Sequence, residues 1–187
     1  MGRVIVVQFI TLDGVVEDPD GSDGTPFGGW AMRFGPQGVA GDKFRLGSIL
    51  ETGTLLFGRR TWQHFSTLWP NRDDPFSRAM NRASKAVLAS TPVTLDTWSG
   101  STAVDGGLDG WLERTVPQRD VVVIGSGSVV AELARRDAID EYRLLTFPTA
   151  VGSGRRLFDA AGSPTELRLV SAEQVGPAVL SVLDPRE

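Results

Sequence analysis

Two short apolar runs constrain this chain more than any other feature. Residues 55–57 (Leu-Leu-Phe) and 120–124 (Asp-Val-Val-Val-Ile) have the length and composition of buried strands. Each stops at a glycine and leads into a segment of helical periodicity. A buried strand followed at once by a helix is the unit of a parallel sheet, whose strand ends gather along one carboxyl edge. The first junction reads Thr54-Leu55-Leu56-Phe57-Gly58-Arg59-Arg60-Thr61, with Trp62, Phe65 and Leu68 following at helical spacing. Glycine lets a ligand come close, and a helix start adds unpaired N–H groups and the positive end of its dipole to two guanidinium groups and a hydroxyl. That set suits a phosphate. A turn glycine followed by two solvated arginines is the competing reading, and the stretch alone does not separate them. The second junction, Gly125-Ser126-Gly127-Ser128, fails as a Rossmann fingerprint because Val130 stands at the third glycine position and too little α/β chain follows. Taken with the first junction and a Ser90-Thr91 strand end between them, it points to one anion-binding edge.

Composition narrows the function. The 187 residues are 41% hydrophobic and 22% charged, values of a globular chain that predict a single domain over 1–187. A net charge of -4 argues against a general nucleic-acid binder. With no cysteine, disulfides, thiolate catalysis and Cys-ligated metals are excluded. One histidine, His64, rules out a His-rich metal site, and its place early in a helix favours a partly exposed side chain over catalysis. No apolar run approaches the roughly 20 residues that span a bilayer. Without a signal-peptide pattern, the chain is expected to be soluble and cytoplasmic, with no metal, nucleic-acid or membrane partner.

Along the chain, residues 3–10 read as a central strand, which the Thr11-Leu12-Asp13-Gly14 turn closes. Residues 17–29 form a long acidic loop, either a lid or binding loop or a disordered excursion. The pattern predicts a helix over 38–52 with Gly53 as its stop, and another from Asp73-Asp74-Pro75 to about residue 83. A short strand over 85–89, weak β over 94–105, and helices over 106–116 and 129–136 follow. A strand over 142–147 precedes a closing antiparallel hairpin of 166–172 and 177–183. This is an α/β order with a mostly parallel sheet and an antiparallel edge.

The ordered motifs carry a resemblance over nearly the whole chain. They are Thr11-Leu12-Asp13-Gly14, Phe57-Gly58-Arg59-Arg60-Thr61-Trp62, Lys85-Ala86-Val87-Leu88-Ala89-Ser90-Thr91 and Val123-Ile124-Gly125-Ser126-Gly127-Ser128. Ile139-Asp140-Glu141-Tyr142 and the Pro148, Gly152-Ser153-Gly154, Leu157-Phe158 ending complete the set. The chain resembles the dihydrofolate reductase fold superfamily, most closely the branch related to the C-terminal reductase domain of bacterial riboflavin biosynthesis. The resemblance implies a central sheet with helices on both faces and NADPH across its carboxyl edge.

By that resemblance, Gly58, Arg59, Arg60 and Thr61 hold the 2′-phosphate end of the cofactor, with Ser90 and Thr91 beside the adenosine. Gly125, Ser126, Gly127, Ser128 and Val129 meet the pyrophosphate, and Phe9, Val15 and Val16 lie near the nicotinamide. The family's turn carries adjacent glycines; Gly125-Ser126 departs from it. On the substrate side, Asp42 matches the acidic residue that pairs with a pterin, and is equally an ordinary first-turn helix acid. Trp30 and Phe34 wall the pocket, Thr146 partners Asp42, and Asp13 is either a turn residue or a neighbour of the substrate. Arg155 and Arg156 are either contacts for a substrate phosphate or plain surface charges.

The implied activity is hydride transfer from NADPH to a pteridine- or pyrimidine-like heterocycle, in a homodimer and without the deaminase zinc motif. A nucleotide-binding protein on the same fold without turnover is the alternative.

Overall fold

Both strand–glycine–helix runs form where the sequence places them. The computed structural model describes residues 1–158 and 165–185. Strand β1 (Val4–Thr11) is followed by a single-turn helix at Met32–Phe34, then by helices α1 (Pro36–Val39) and α2 (Ile49–Thr52). Next come β2 (Thr54–Gly58), α3 (Arg59–Leu68), α4 (Pro75–Arg82), β3 (Ser84–Leu88) and β4 (Ser101–Ala103). The chain continues through α5 (Gly107–Thr115), β5 (Val121–Ile124), α6 (Gly127–Ala134), β6 (Glu141–Phe147), β7 (Leu167–Val175) and β8 (Ala178–Pro185). The hydrogen-bonded strand order is β4-β3-β2-β5-β1-β6-β8-β7. β2 pairs parallel with β3 and β5, and β3 with β4, whereas β8 pairs antiparallel with β6 and β7. Among the described residues no helix is long and apolar enough to cross a membrane.

The chain divides into two compact units, one of residues 1–6 and 45–139, the other of 7–44 and the chain from Asp140 onward. In the first, every residue of β2 is buried. Side chains alternate across a strand, so complete burial means cover on both faces, the condition under which a parallel strand reads as one continuous apolar run. Trp62 of α3 is buried and its indole N–H donates to Ser101 Oγ (2.9 Å), fastening the helix to β4. Asp74 caps α4 by accepting from the N–H groups of Phe76 and Ser77, with Pro75 in the first turn as its fixed φ favours. The far end of α4 is closed by a buried lysine. Lys85 Nζ donates to the carbonyls of Asn81 (3.0 Å), Ala83 (2.7 Å) and Ser99 (3.0 Å) and sits 4.5 Å from the Trp98 ring centroid. Burial pushes its ammonium down to about 8.

In the second unit, an aromatic group built on β1 and β6 forms the core. Phe9 stacks on Phe44 (5.4 Å between centroids), and Phe9, Trp30 and Phe34 all pack against Phe147. The β7–β8 hairpin closes through Gly176, whose φ of 59° needs glycine, and β7 carries a bulge between Leu169 and Ser171.

The helix expected over 38–52 does not form. Two four-residue helices stand in its place, separated by Gly41, Arg45 and Gly47 at φ values of 77°, 56° and 52°. Left-handed residues cannot continue a right-handed helix, and three of them within seven positions end it. Apolar spacing misled because Phe44, Leu46 and Leu50 are buried from irregular backbone and a short helix alike. Asp42 is therefore a loop residue, not a first-turn helix acid.

A buried ion pair holds part of this loop. Glu141 and Arg143 are 4% and 9% exposed; Arg143 Nε donates to Glu141 Oε1 (2.5 Å) and its Nη1 to the Phe44 carbonyl (2.9 Å). Arg143→Ala removes the guanidinium paired with the buried Glu141 carboxylate and is expected to lower unfolding free energy by about 3–5 kcal/mol in urea titrations. Glu141→Leu/Arg143→Met should recover most of that loss.

Candidate functional site

The carboxyl ends of β2, β3 and β5 lie side by side in the first unit. Gly58 pairs with Leu88, and Leu56 pairs with Val123; two residues further along that register, Gly125 stands level with Gly58. The junction between them is one hydrogen bond: Gly58 N–H donates to Ser126 Oγ at 2.7 Å. A Cβ on Gly58 would lie 3.1 Å from Ser126 Oγ and 3.3 Å from Val129 Cγ2, tighter than ordinary contact. Gly125 has φ 71°, and a Cβ there would lie 3.3 Å from Thr61 Cγ2. The two glycines are thus required by close approach, and Gly125 also by its backbone. Ser126 is itself left-handed, with φ 59°, a conformation that costs a non-glycine residue roughly 1–2 kcal/mol.

This joint sets two helix starts next to each other. Gly58 caps α3 and Ser126 caps α6, in neither case through a side-chain hydrogen bond to the helix. The N–H groups of Gly127 and Ser128 have no acceptor among the described residues, whereas those of Val129 and Val130 both reach the Ser126 carbonyl. Val129 is buried and supports the turn by packing. Arg59 reaches across to the loop after β3, where its Nη1 donates to Thr91 Oγ1 (2.6 Å). Arg59, Arg60, Ser90 and Thr91 are exposed and Thr61 is half-buried. Every residue assigned from sequence to the phosphate end therefore lies on one unit, and its donors suit an anion: backbone N–H groups, guanidinium and hydroxyls. The adjacent glycines of the resemblance are replaced by a glycine and a serine whose hydroxyl accepts from the neighbouring strand.

The residues assigned to the substrate side fall in the second unit and are differently engaged. Asp13 accepts from the Thr11 hydroxyl (2.6 Å) and from the N–H groups of Val151 (3.2 Å) and Gly152 (2.8 Å). These bonds, the Thr11 hydroxyl foremost, hold its carboxyl at about 2 against an ordinary 3.8. Val16 N–H donates to the Arg155 carbonyl (3.0 Å), Glu17 accepts from Arg155 N–H (2.8 Å), and Arg156 Nε donates to the Asp13 carbonyl (2.9 Å). Asp13 is a clamp between two loops, and Arg155 and Arg156 belong to the same clamp. Trp30 is fully buried, its indole N–H on the Glu17 carbonyl (2.9 Å). Phe34, Asp42 and Thr146 are half-buried, Thr146 on β6 opposite Val179.

Sequence reasoning passed over Asp18. The 17–29 loop folds around its buried carboxylate, which accepts from Asp23 N–H (2.9 Å), Thr25 N–H (2.9 Å) and the Thr25 hydroxyl (2.7 Å). Burial raises its affinity for a proton, yet these bonds outweigh burial and hold the carboxyl below its ordinary range. The signal was present in Asp18 followed by Gly21, Gly24 and Thr25, residues suited to side-chain-to-backbone turns.

Comparison with known proteins agrees with this architecture. A family model described as the RibD C-terminal domain matches residues 111–181. Two Bacillus subtilis (strain 168) proteins align almost end to end. Uncharacterized protein YwjB is 25% identical over 188 residues, 95% of this chain and 94% of that protein. Uncharacterized protein YyaP is 21% identical, over 97% and 93%. Among solved structures, a putative riboflavin biosynthesis protein from Shewanella sp. PV-4 superposes with a TM-score of 0.68 at 21% identity, over 99% of both chains. Acinetobacter baumannii RibD superposes with a TM-score of 0.66 at 16% identity; all of this chain is covered, but only 59% of RibD. The fold is the dihydrofolate reductase-like fold of the RibD C-terminal domain.

Two outcomes test the local chemistry. Ser126→Ala removes the acceptor from buried Gly58 N–H and is expected to lower stability by about 1–3 kcal/mol. Ser126→Gly should lose less, because it sheds the left-handed strain. The Asp13 clamp stabilises above about pH 4 and weakens as pH falls through its folded value near 2. The gap in melting temperature between wild type and Asp13→Asn should therefore be full at neutral pH and close across that acidic range.

Proposed function

We propose that this chain is an NADPH-dependent reductase acting on a pteridine- or pyrimidine-like heterocycle. What carries this reading is the Gly58–Ser126 joint, which sets two helix starts beside Arg59 at the carboxyl edge of parallel strands. Arg59, Arg60 and Thr61 would hold the cofactor's 2′-phosphate, with Ser90 and Thr91 beside the adenosine end. Gly127 and Ser128 N–H groups, with Gly125 and Ser126, would meet the pyrophosphate, and Val16 would lie near the nicotinamide. The cofactor, when bound, supplies the hydride. The resemblance to a reductase-type domain and the RibD-like fold support the reaction class.

On the substrate side, Asp13 and Trp30 are occupied by the chain's own hydrogen bonds. By the resemblance, Asp42 and Thr146 would supply polar recognition of the heterocycle, with Phe34 as the apolar wall. Asp42 would hydrogen-bond an amidine-like edge and assist protonation. The occupied Asp13 also favours a second reading, a nucleotide-binding protein of this fold without turnover. We further propose a homodimer, on the resemblance; light scattering at micromolar concentration should give twice the chain mass.

The reading is tested by calorimetric titration of NADPH and NADH into wild type and Arg59→Ala/Arg60→Ala. Wild type should prefer NADPH, and the variant should lose that preference. One charge-assisted phosphate contact corresponds to about 1.5–3 kcal/mol, a tenfold or larger change in Kd. Absence of binding by either cofactor would defeat the proposal. Binding without oxidation of NADPH by any pteridine or pyrimidine substrate would select the second reading.

A further inference from the structure

Strand β7 is uncovered on both faces and unpaired on its outer side. Every residue from Arg168 to Gln174 is exposed, although successive side chains of a strand point to opposite faces. Leu169 is 60% exposed and Val170 53%. β7 also ends the strand order, so among the described residues no strand pairs with its outer side. A long unpaired edge is a template for another chain, and proteins commonly blunt it with a short strand, lysine or proline. β4, at the other end of the order, is three residues long, whereas β7 runs for nine and holds neither lysine nor proline.

The two charged residues of β7 and its bulge fit a second copy of the same strand. Arg168 lies opposite Asp184 of β8, and Glu173 lies opposite Leu180. Asp184 and Leu180 share a face of β8, so Arg168 and Glu173 share that face as well. On a regular strand their spacing would turn them to opposite faces; the bulge between Leu169 and Ser171 brings them to one. Two identical strands paired antiparallel about a two-fold axis set residues of one face against residues of the same face. Registers that oppose Arg168 to Arg168, or Glu173 to Glu173, bring like charges together. One register sets Arg168 of each copy against Glu173 of the other. It also places Leu169 against Ala172, and Val170 against Ser171 beside the axis, all four of them exposed. Arg168 Nη2 already meets Asp184 (2.6 Å), and the guanidinium fork has donors for a second carboxylate. We propose that β7 pairs antiparallel with β7 of a second copy, in the register that opposes Arg168 and Glu173. This rests on the homodimer proposed above and names its surface.

Light scattering over a dilution series tests the pairing, with a nitroxide label as a separate reporter of place. Wild type should have twice the chain mass at micromolar concentration. Glu173→Arg, which opposes arginines at both ends of the register, should raise the concentration of half-dissociation about tenfold. Arg168→Glu/Glu173→Arg restores unlike charges and should return it to near the wild-type value. The exposed Arg168–Asp184 pair that this variant also loses is worth little to the fold. Because the chain has no cysteine, Ser171→Cys carries one label per chain. That label should show dipolar broadening, which vanishes on mixing with excess unlabelled protein. A dimeric mass with an unbroadened label would put the interface elsewhere and overturn this proposal alone. A monomeric wild type would overturn the homodimer with it. A double variant no tighter than Glu173→Arg would overturn the register.

Discussion

The hydrogen bond from Gly58 N–H to Ser126 Oγ is the constraint on which the carboxyl edge depends. It joins the end of β2 to the turn after β5, and so fixes where α3 and α6 begin. Because the two strands are parallel and adjacent, both helices start on the same side and present their open N–H groups together. Arginine at the first position of α3 then lies at the dipole end least favourable to a cation. Arg59 is exposed, and its Nη1 is held on Thr91 Oγ1, away from the open N–H groups.

The two units meet the same polar demands by different means. At the carboxyl edge of β2, β3 and β5, the Gly127 and Ser128 N–H groups are left open and no carboxylate is among the residues assigned there. In the second unit, Asp13, Glu17 and Asp18 each accept backbone N–H groups from loops that a strand ladder cannot reach. Loops without secondary structure must satisfy their amides somehow, and a carboxylate accepts several at once. An acidic stretch that reads as a lid or binding loop is thus accounted for by the construction of its own loops.

What was legible in the sequence follows from this division. Continuous apolar runs marked β2 and β5, and Asp74-Pro75 marked the start of α4, because burial and capping are local and leave a residue signature. The 38–52 helix failed for want of such a signature: apolar spacing reports which residues are buried, not whether Arg45 is left-handed. The glycine, arginine and hydroxyl residues proposed for a phosphate stand together at the carboxyl ends of β2, β3 and β5, because strand–glycine–helix runs leave a local signature. The Asp13 clamp depends on a partner as distant as Gly152, which spacing alone does not disclose, whereas the Asp18 turn closes on Asp23 and Thr25 within its own loop. Trp30, a pocket wall by the resemblance, is fully buried with its indole N–H on the Glu17 carbonyl.

Ser126 is where sequence and structure bear on each other most directly. Glycine would adopt its backbone without strain, and the resemblance places glycine there. Serine costs roughly 1–2 kcal/mol of conformational strain in that region. The hydroxyl offsets this by satisfying the buried Gly58 N–H, a group that otherwise costs about 1–3 kcal/mol unpaired. The two terms are of similar size, so the substitution is nearly neutral for stability while it changes the geometry: the joint between the strands becomes a directed hydrogen bond. A hydroxyl that accepts from Gly58 still has its own proton to donate. The same atom that fixes the two helix starts therefore also adds a donor at the edge they form.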